Sequence, residues 1–438
     1  MATGNVIMLD EDGNIGSAMA TENSEQISGL LFDISAQSNF WTTGKGAELA
    51  TKLKDQVIKL NSLQEAKDLG ITAYSGGESA AEFLMGIPYY HIEKFFSLTN
   101  NYDKTLYIAF ADCSDDWDAL VDMQKAAHGN IGQFGVWTEK KLWKQTSESA
   151  GEYKVQIVGE LQTVANTLAA TYNAPVSIVL NANTAQIEDG TTATEVLVSK
   201  IPSCYVDARY VTVALGQEAS TEVHNMQAGL TSVTPVGNVG MALGLLTRLN
   251  VAFSIGYVSD CNLRSVISTD IEFGFGDATI TSGALTNPTP YEALSGPQLD
   301  ELDDKGYIFL HKYTGYNGVF FSKDYSCSDG DYNCISRNRV INKSRRMVRR
   351  ALLPYVNAPI YLSNGGTLST GDRTTFINTI TAVLTSMQTA GEISAVGPVE
   401  FDNTQNLLQT KTLLFSYKVL PVGCAEMIKV TEGFTVNV

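Results

Sequence analysis

The sequence predicts an α/β protein with mixed strands and helices, and three observations support this fold class. Apolar runs typical of buried strands alternate with segments of helical periodicity along the first half of the chain. The longest amphipathic pattern, over residues 153–171, repeats apolar residues at intervals of three and four. Hydrophobic residues make up 44% of the 438 residues and charged residues 18%, enough apolar material for ordered cores in two or three domains.

The predicted strands are short apolar runs bounded by polar, glycine or turn residues. Residues 359–362 are predicted to be extended, and two apolar strands are predicted to close the chain. In order, the predicted strands cover residues 27–34, 57–60, 105–110, 132–138, 176–180, 205–216, 307–312, 318–322, 412–419 and 427–436.

The predicted helices show a helical period, a capping residue or both. Asn61 or Ser62 is expected to cap the helix after the second strand, with Glu65 returning the contact to Ser62 in a capping box. Asp372 is expected to cap the last helix. The first predicted helix follows that cap. The others cover, in order, residues 79–93, 117–127, 153–171, 237–249, 299–306, 337–352 and 373–390.

The most apolar long stretch, residues 239–258, is predicted to pack inside the protein. It contains Arg248, Asn250 and several glycines, so we expect no membrane insertion. Gly240 and Gly244 lie one turn apart and allow another backbone to approach closely. Farther along, residues 274–297 are rich in Gly, Thr, Asn and Pro, which predicts a domain boundary there.

Charge and cysteine content exclude several classes of protein. The net charge of −17 argues against direct nucleic-acid binding, because phosphate contacts need concentrated Lys and Arg. The first twenty residues lack the basic start and apolar run of a secretory signal. The six cysteines are scattered without CxxC spacing and are expected to be reduced, with a Cys327–Cys334 disulfide as the alternative.

No catalytic constellation is apparent in the sequence. Phosphate-binding loops, dinucleotide fingerprints, HExxH and GxSxG motifs are all missing, and the four histidines are far apart. Acidic runs at residues 10–12, 115–116 and 300–304 lack the alternation of a calcium loop and fit solvated turns. We therefore predict no enzyme, metal or cofactor, while an α/β enzyme of unrecognised type stays open as an alternative.

A basic segment stands out against the acidic chain, with seven of the 30 basic residues between positions 337 and 350. On a helical wheel, apolar residues such as Val340 and Val348 share one face. The opposite face carries a cationic stripe of Arg339, Lys343, Arg346 and Arg350. It could be a solvated face with local ion pairs, or a contact surface for a second subunit or a coaxial polymer.

The amino end raises a related question. Val6, Ile7, Met8 and Leu9 read as a short extended segment, followed by a turn and a small-residue linker. Its backbone groups need hydrogen-bonding partners, which the sheet edge of a neighbouring subunit or the chain's own sheet would supply.

Residues 299–352 carry a family resemblance. A helix ending at Gly306 is followed by a strand, then by Gly318-Val319-Phe320, a polar loop with Asp331-Tyr332, and the Arg-rich helix. This order resembles the carboxyl-terminal core of contractile phage tail sheath proteins, and residues 57–71 and 236–258 are similar to two earlier parts of sheath subunits. The Gly-Ala-Arg-Thr type sequence of the best-known sheaths is replaced here by residues 320–323, which suggests a divergent, prophage-like branch.

The resemblance implies a structural subunit that polymerises as stacked hexameric rings around a tail tube and contracts to drive the tube through a cell envelope. It implies an arm (1–22), an outward-facing α/β part (23–285), an inner sheath-type domain formed by the amino-terminal end and the carboxyl-terminal third (286–425), and a second arm (426–438). The arms would lend strands to neighbours through Val6 to Leu9 and through Lys429, Val430, Thr431, Phe434 and Val436.

The same resemblance sets the expected partners. They are further copies of the chain, a tail tube protein, and baseplate and tail terminator proteins. The expected location is a virion tail assembled in the host bacterial cytoplasm, or alternatively a cytoplasmic phage-derived injection particle. A tail tube subunit or another virion structural protein is the nearest alternative, although tube proteins are usually smaller and richer in β-structure.

Overall fold

The computed structural model describes residues 24–37, 39–76, 80–99, 104–140, 142–145, 153–181, 198, 201–228, 236–267, 270–273 and 289–434. The chain forms two compact units, unit 1 (Met1–Lys343) and unit 2 (Ser344–Val438). The division between the two units therefore lies later in the sequence than the predicted boundary at 274–297. The assignment of outer and inner domains and of two arms stays a prediction.

Unit 1 contains most of the strands. They are β1 (Ser28–Asp33), β2 (Val57–Leu60), β3 (Leu106–Ala111), β4 (Gln133–Trp137), β5 (Trp143–Gln145), β6 (Tyr153–Val155), β7 (Ser177–Asn181), β8 (Val211–Leu215), β9 (Gln217–Glu218), β10 (Ile271–Phe273), β11 (Thr289–Pro290), β12 (Ile308–His311) and β13 (Phe320–Phe321).

The helices of unit 1 are α1 (Gly44–Leu53), α2 (Leu63–Asp68), α3 (Ala80–Leu98), α4 (Ala119–Ala126), α5 (Ile157–Ala170), α6 (Thr221–Ala228), α7 (Val239–Arg248) and α8 (Gly296–Asp304). Helix α9 (Ile335–Leu352) begins in unit 1 and ends in unit 2. Within these described segments, no helix is both long and apolar enough to cross a membrane.

An eight-stranded sheet organises unit 1, in the order β13-β12-β8-β7-β4-β1-β3-β2. The six strands from β12 to β3 are parallel, and β13 and β2 pair antiparallel at the two edges. In register, Leu30 of β1 lies between Ile108 of β3 and Gly135 of β4. The predicted α/β fold class is confirmed.

Apolar side chains cover both faces of this sheet, as parallel sheets require. Leu31 points to the face covered by α4 and α5, where Leu120 and Leu161 are buried. Leu30 and Phe32 point to the opposite face, which α3 and α7 cover. Because successive strand residues alternate between faces, a fully apolar strand such as β1 serves two cores.

Two boundaries in unit 1 differ from the predicted ones. The predicted helix over 153–171 starts only at Ile157, because Tyr153–Val155 pairs as β6 with β5. The predicted strand over 205–216 is reduced to Val211–Leu215, because Asp207 adopts a left-handed backbone conformation with φ of 56° and turns the chain.

Unit 2 is smaller. It contains the end of α9 together with β14 (Leu362–Ser363), β15 (Thr367–Leu368), α10 (Thr370–Thr389), β16 (Ile393–Val396), β17 (Glu400–Phe401), α11 (Leu407–Thr410), β18 (Phe415–Ser416) and β19 (Val419–Pro421). Its strands form two-residue to four-residue antiparallel pairs, β14 with β15, β16 with β19 and β17 with β18. Val348, Ile380 and Leu384 form the buried core of this unit.

The cap of α10 corrects one prediction. Ser369, and not Asp372, is the capping residue, since the Ser369 side chain accepts a hydrogen bond from the Asp372 backbone N–H at 3.1 Å. The Asp372 carboxylate accepts from the Ser369 hydroxyl at 3.0 Å and from the Tyr361 backbone N–H at 2.9 Å. Asp372 thus lies in the first turn, where a negative charge complements the helix dipole.

Candidate assembly surfaces

Arg339 is buried, which corrects the prediction that four basic residues of α9 form one exposed stripe. Its side chain is 0% exposed. The guanidinium Nη2 donates to the Leu246 carbonyl at 2.7 Å and to the Glu25 carbonyl at 3.3 Å. Leu246 lies in the last turn of α7, where carbonyl groups carry partial negative charge. Arg339 therefore caps α7 inside unit 1.

The other three stripe residues are not buried to this degree. Lys343 and Arg346 are half-buried, and Arg350 is exposed. On the opposite side of α9, the predicted apolar face is confirmed at Val340 and Val348, which are both buried. A contact of Lys343, Arg346 and Arg350 with another protein stays a prediction.

The carboxyl-terminal segment contradicts the prediction of a strand over residues 427–436. Its described part, 427–434, pairs with no other strand of the described chain. Its apolar side chains lie in solvent, with Ile428 81% exposed and Val430 83% exposed. A strand needs a partner for its backbone groups, and the described residues of this subunit do not provide one. The role of Lys429, Val430, Thr431 and Phe434 in a neighbouring subunit stays a prediction.

Val436 and the amino-terminal segment of Val6, Ile7, Met8 and Leu9 lie outside the described residues.

An exposed side of residues 412–421 in unit 2 was missed by the sequence analysis. From residue 412 to residue 421, half-buried and exposed positions alternate strictly. Phe415 and Val419 face the core of the unit, whereas Leu414 and Leu420 on the other side are 69% and 59% exposed. This outer face is mixed, because Ser416 and Lys418 separate the two leucines, so it is not a continuous apolar patch.

Helix α7 is held in unit 1 by a second cap at its amino end. His91 of α3 is 0% exposed, and its Nδ1 accepts the backbone N–H of Gly240 at 3.2 Å. Because Nδ1 accepts, Nε2 carries the proton and donates to the Val236 carbonyl at 2.9 Å. Burial lowers the pKa of His91 to about 3, so the ring is neutral at ordinary pH.

Gly240 also allows α3 and α7 to touch through their backbones. A Cβ atom at Gly240 would lie 2.3 Å from the His91 carbonyl oxygen. One turn later, a Cβ at Gly244 would lie 2.9 Å from the Leu98 Cβ. The predicted close packing of the small-residue helix is confirmed.

Polar residues at the carboxyl edge of the large sheet bind one another. In α/β enzymes this edge, where strand order reverses, commonly holds the ligand. Here the Asp33 carboxylate accepts from the Ser35 N–H at 2.9 Å, the Cys113 N–H at 3.2 Å and the Thr138 hydroxyl at 2.6 Å. The Thr138 N–H in turn donates to the Asn181 side chain at 2.8 Å. This network fixes the strand ends and their loops.

Neither a metal site nor a disulfide is present in the part of the chain that the structure describes. No three His, Cys, Asp or Glu side chains among these residues come together to hold a metal. Cys327 and Cys334, the alternative disulfide pair, are both free thiols.

The sequence matches two family models that together cover almost the whole chain. Residues 15–324 match the model described as DUF2586, N-terminal domain, and residues 331–438 match DUF2586, C-terminal domain. The chain belongs to the DUF2586 family. No curated protein matches this DUF2586 chain.

Solved structures similar to the DUF2586 chain include the anti-feeding prophage (AFP) helical sheath in its contracted state, with a TM-score of 0.54, 14% identity and 100% coverage of both chains. The PVC sheath complex of an extracellular contractile injection system, also contracted, gives a TM-score of 0.56 at 11% identity, covering 100% of this chain and 99% of the other. A chain of the AFP baseplate gives 0.54 at 12% identity, again with both chains fully covered.

At these low identities, the TM-scores of 0.54 to 0.56 show a shared fold and nothing more. The DUF2586 chain has the fold of contractile sheath proteins, as the resemblance predicted. The similar AFP and PVC chains belong to a helical sheath and to a sheath complex.

Proposed function

We propose that this DUF2586 chain is the structural subunit of a contractile sheath. It polymerises as stacked hexameric rings around a tail tube and contracts to drive the tube through a target cell envelope. The observation that carries this proposal is the full-length fold match to two contracted sheaths, which extends over both units. Further copies of the chain, a tube protein, and baseplate and terminator proteins are the proposed partners, in a phage tail or a phage-derived injection particle.

In this proposal, the carboxyl-terminal segment acts as a strand lent to a neighbouring subunit. Residues 427–434 lie in solvent and contain no proline, and Ile428, Val430 and Phe434 would share one face if the segment formed a strand. The β16–β19 pair of unit 2 has open edges, and a two-stranded sheet is marginally stable alone. Each backbone hydrogen bond adds about 1 kcal/mol, which becomes substantial when repeated along a polymer.

Replacing Val430 by proline is expected to prevent polymer formation while leaving the isolated subunit folded. Proline removes the backbone N–H that a lent strand would donate, and within a paired strand it is tolerated only where that N–H faces solvent or at a bulge. Val430 is exposed, so the free subunit loses no contact. Sedimentation velocity measures the polymer, and circular dichroism checks the fold. Ala425→Pro is the matched control, because Ala425 is also exposed but lies before the segment. If Val430→Pro assembled as well as Ala425→Pro, the lent strand would no longer be part of the proposal.

The half-buried Lys343 and Arg346 and the exposed Arg350 of α9 are proposed to contact the tube or a neighbouring subunit. Arg339 no longer belongs to this surface, because it caps α7 inside unit 1. A positive surface on a chain of net charge −17 favours an acidic partner.

The double variant Arg346→Glu and Arg350→Glu is expected to weaken assembly at low salt by at least tenfold in critical concentration, because two charges are reversed within one contact. Added salt should bring the critical concentration of the double variant closer to that of the parent, since salt screens exposed charges. Arg337→Glu is the control, being exposed on α9 but outside the stripe. If the double variant assembled like Arg337→Glu at every salt concentration, this surface would not be a contact.

A further inference from the structure

Two cysteines that are far apart in sequence lie side by side in unit 1. Cys204 precedes β8 and Cys327 follows β13, and both are 0% exposed. The backbone fixes the two segments against each other, because the Val206 and Ala208 N–H groups donate to the Cys327 carbonyl at 3.1 and 2.9 Å. The Cys327 N–H donates to the Val211 carbonyl at 2.8 Å. The positions of both cysteines are therefore set by main-chain hydrogen bonds.

Both cysteines belong to the same buried cluster of unit 1. Burial, and to a smaller extent the neighbouring Cys204 thiol, raises the pKa of Cys327 well above its usual value. The Cys204 Sγ donates to the Gly306 carbonyl at 3.0 Å. Gly306 has a φ of 84°, and a Cβ there would come within 3.0 Å of the Cys204 Sγ. Glycine at this position leaves room for the Cys204 thiol.

The alternative partner in sequence, Cys334, has its own contact. Its Sγ donates to the Asn333 side chain at 3.2 Å. Cys424 is exposed in unit 2. The arrangement in unit 1 thus favours Cys204 over its sequence neighbour as the partner of Cys327.

We propose that Cys204 and Cys327 form a disulfide site, which closes when the protein meets hydrogen peroxide. One thiol loses its proton and attacks the peroxide, giving a sulfenic acid and one water. The second thiol then attacks that sulfur, forming the S–S bond and releasing a second water. Two thiols are oxidised and one peroxide is reduced to two waters, so no further reactant is needed.

Closing this bond would link two segments separated by about 120 residues and restrict the unfolded chain strongly. We expect oxidation to raise the melting temperature by several degrees and reduction with dithiothreitol to reverse the rise. Closure should be slow near neutral pH, because the attacking species is a thiolate and both thiols are buried. This site does not depend on the proposed sheath function, and it can be tested on unassembled protein.

The test is peptide mapping of the full-length protein after treatment with hydrogen peroxide, digested without reductant. The expected product is a linked pair of peptides containing Cys204 and Cys327, lost in Cys204→Ser and retained in Cys334→Ser and Cys424→Ser. Mapping of the parent protein decides the matter even if the Cys204 variant fails to fold. A link between Cys327 and Cys334, or oxidation of Cys204 and Cys327 without a link between them, would overturn the assignment.

Discussion

Gly240→Ala is expected to destabilise the protein by about 3 kcal/mol or more, the upper end of the cost of overpacking a core. The added methyl group would stand 2.3 Å from the His91 carbonyl oxygen and 2.7 Å from its Cα, so α7 must move away from α3. That movement also stretches the hydrogen bond from the Gly240 N–H to His91. Chemical denaturation of the full-length protein measures the loss as a lower midpoint.

Gly159→Ala is the matched control for this experiment. Gly159 lies near the start of α5, and a Cβ there would meet no atom within 4 Å. Alanine favours a helix over glycine by roughly 0.5–1 kcal/mol, so this variant should be slightly more stable than the parent. If both variants shifted stability in the same direction and by the same amount, the close backbone contact of α3 and α7 would be wrong.

The second large effect is a loss of stability in acid that depends on His91. In the folded protein its pKa is lowered to about 3 from the ordinary 6.5, because burial disfavours the charged ring. A lowered histidine pKa gives stability that is present above pH 6.5 and is lost as the pH falls towards 3. The loss amounts to roughly 1.4 kcal/mol per pH unit and about 5 kcal/mol over the window.

His91→Gln isolates this contribution. Glutamine can also donate to the Val236 carbonyl and accept from the Gly240 N–H, but it does not titrate. The free energies of unfolding of parent and variant are compared from pH 7 to pH 4, so that other titrating groups cancel in the difference. We expect the advantage of the parent to shrink steadily with acidity. A difference that stayed constant across this range would show that His91 does not titrate as a buried group.

Local patterns allowed much of unit 1 to be predicted from sequence. The cap of α2 is an example, because the Ser62 hydroxyl accepts from the Glu65 N–H at 3.3 Å as expected. The Glu65 carboxylate accepts from the backbone N–H of Asn61 and not from that of Ser62. The role of Gly240 and Gly244 followed from their spacing of one turn. Such features depend on residues close in the chain, where period and capping preferences act directly.

Features that depend on contacts between residues far apart in the sequence were predicted less well. A helical wheel places Arg339 opposite the apolar face of α9, but it cannot reveal that α7 lies on that side. The sequence offered one signal, because the nearby Asn338 and Asn342 are uncharged. Both are buried in the structure. Residues 427–434 look like a strand in sequence, yet they pair with no sheet edge in the described part of the chain.

Electron microscopy of the concentrated, full-length protein tests the central claim most directly. The sheath proposal predicts long tubules of constant diameter built from stacked rings with six-fold symmetry, assembled from this DUF2586 chain alone. The contradicting result is a uniform population of small particles of monomer mass at the same concentration, in protein that circular dichroism shows to be folded.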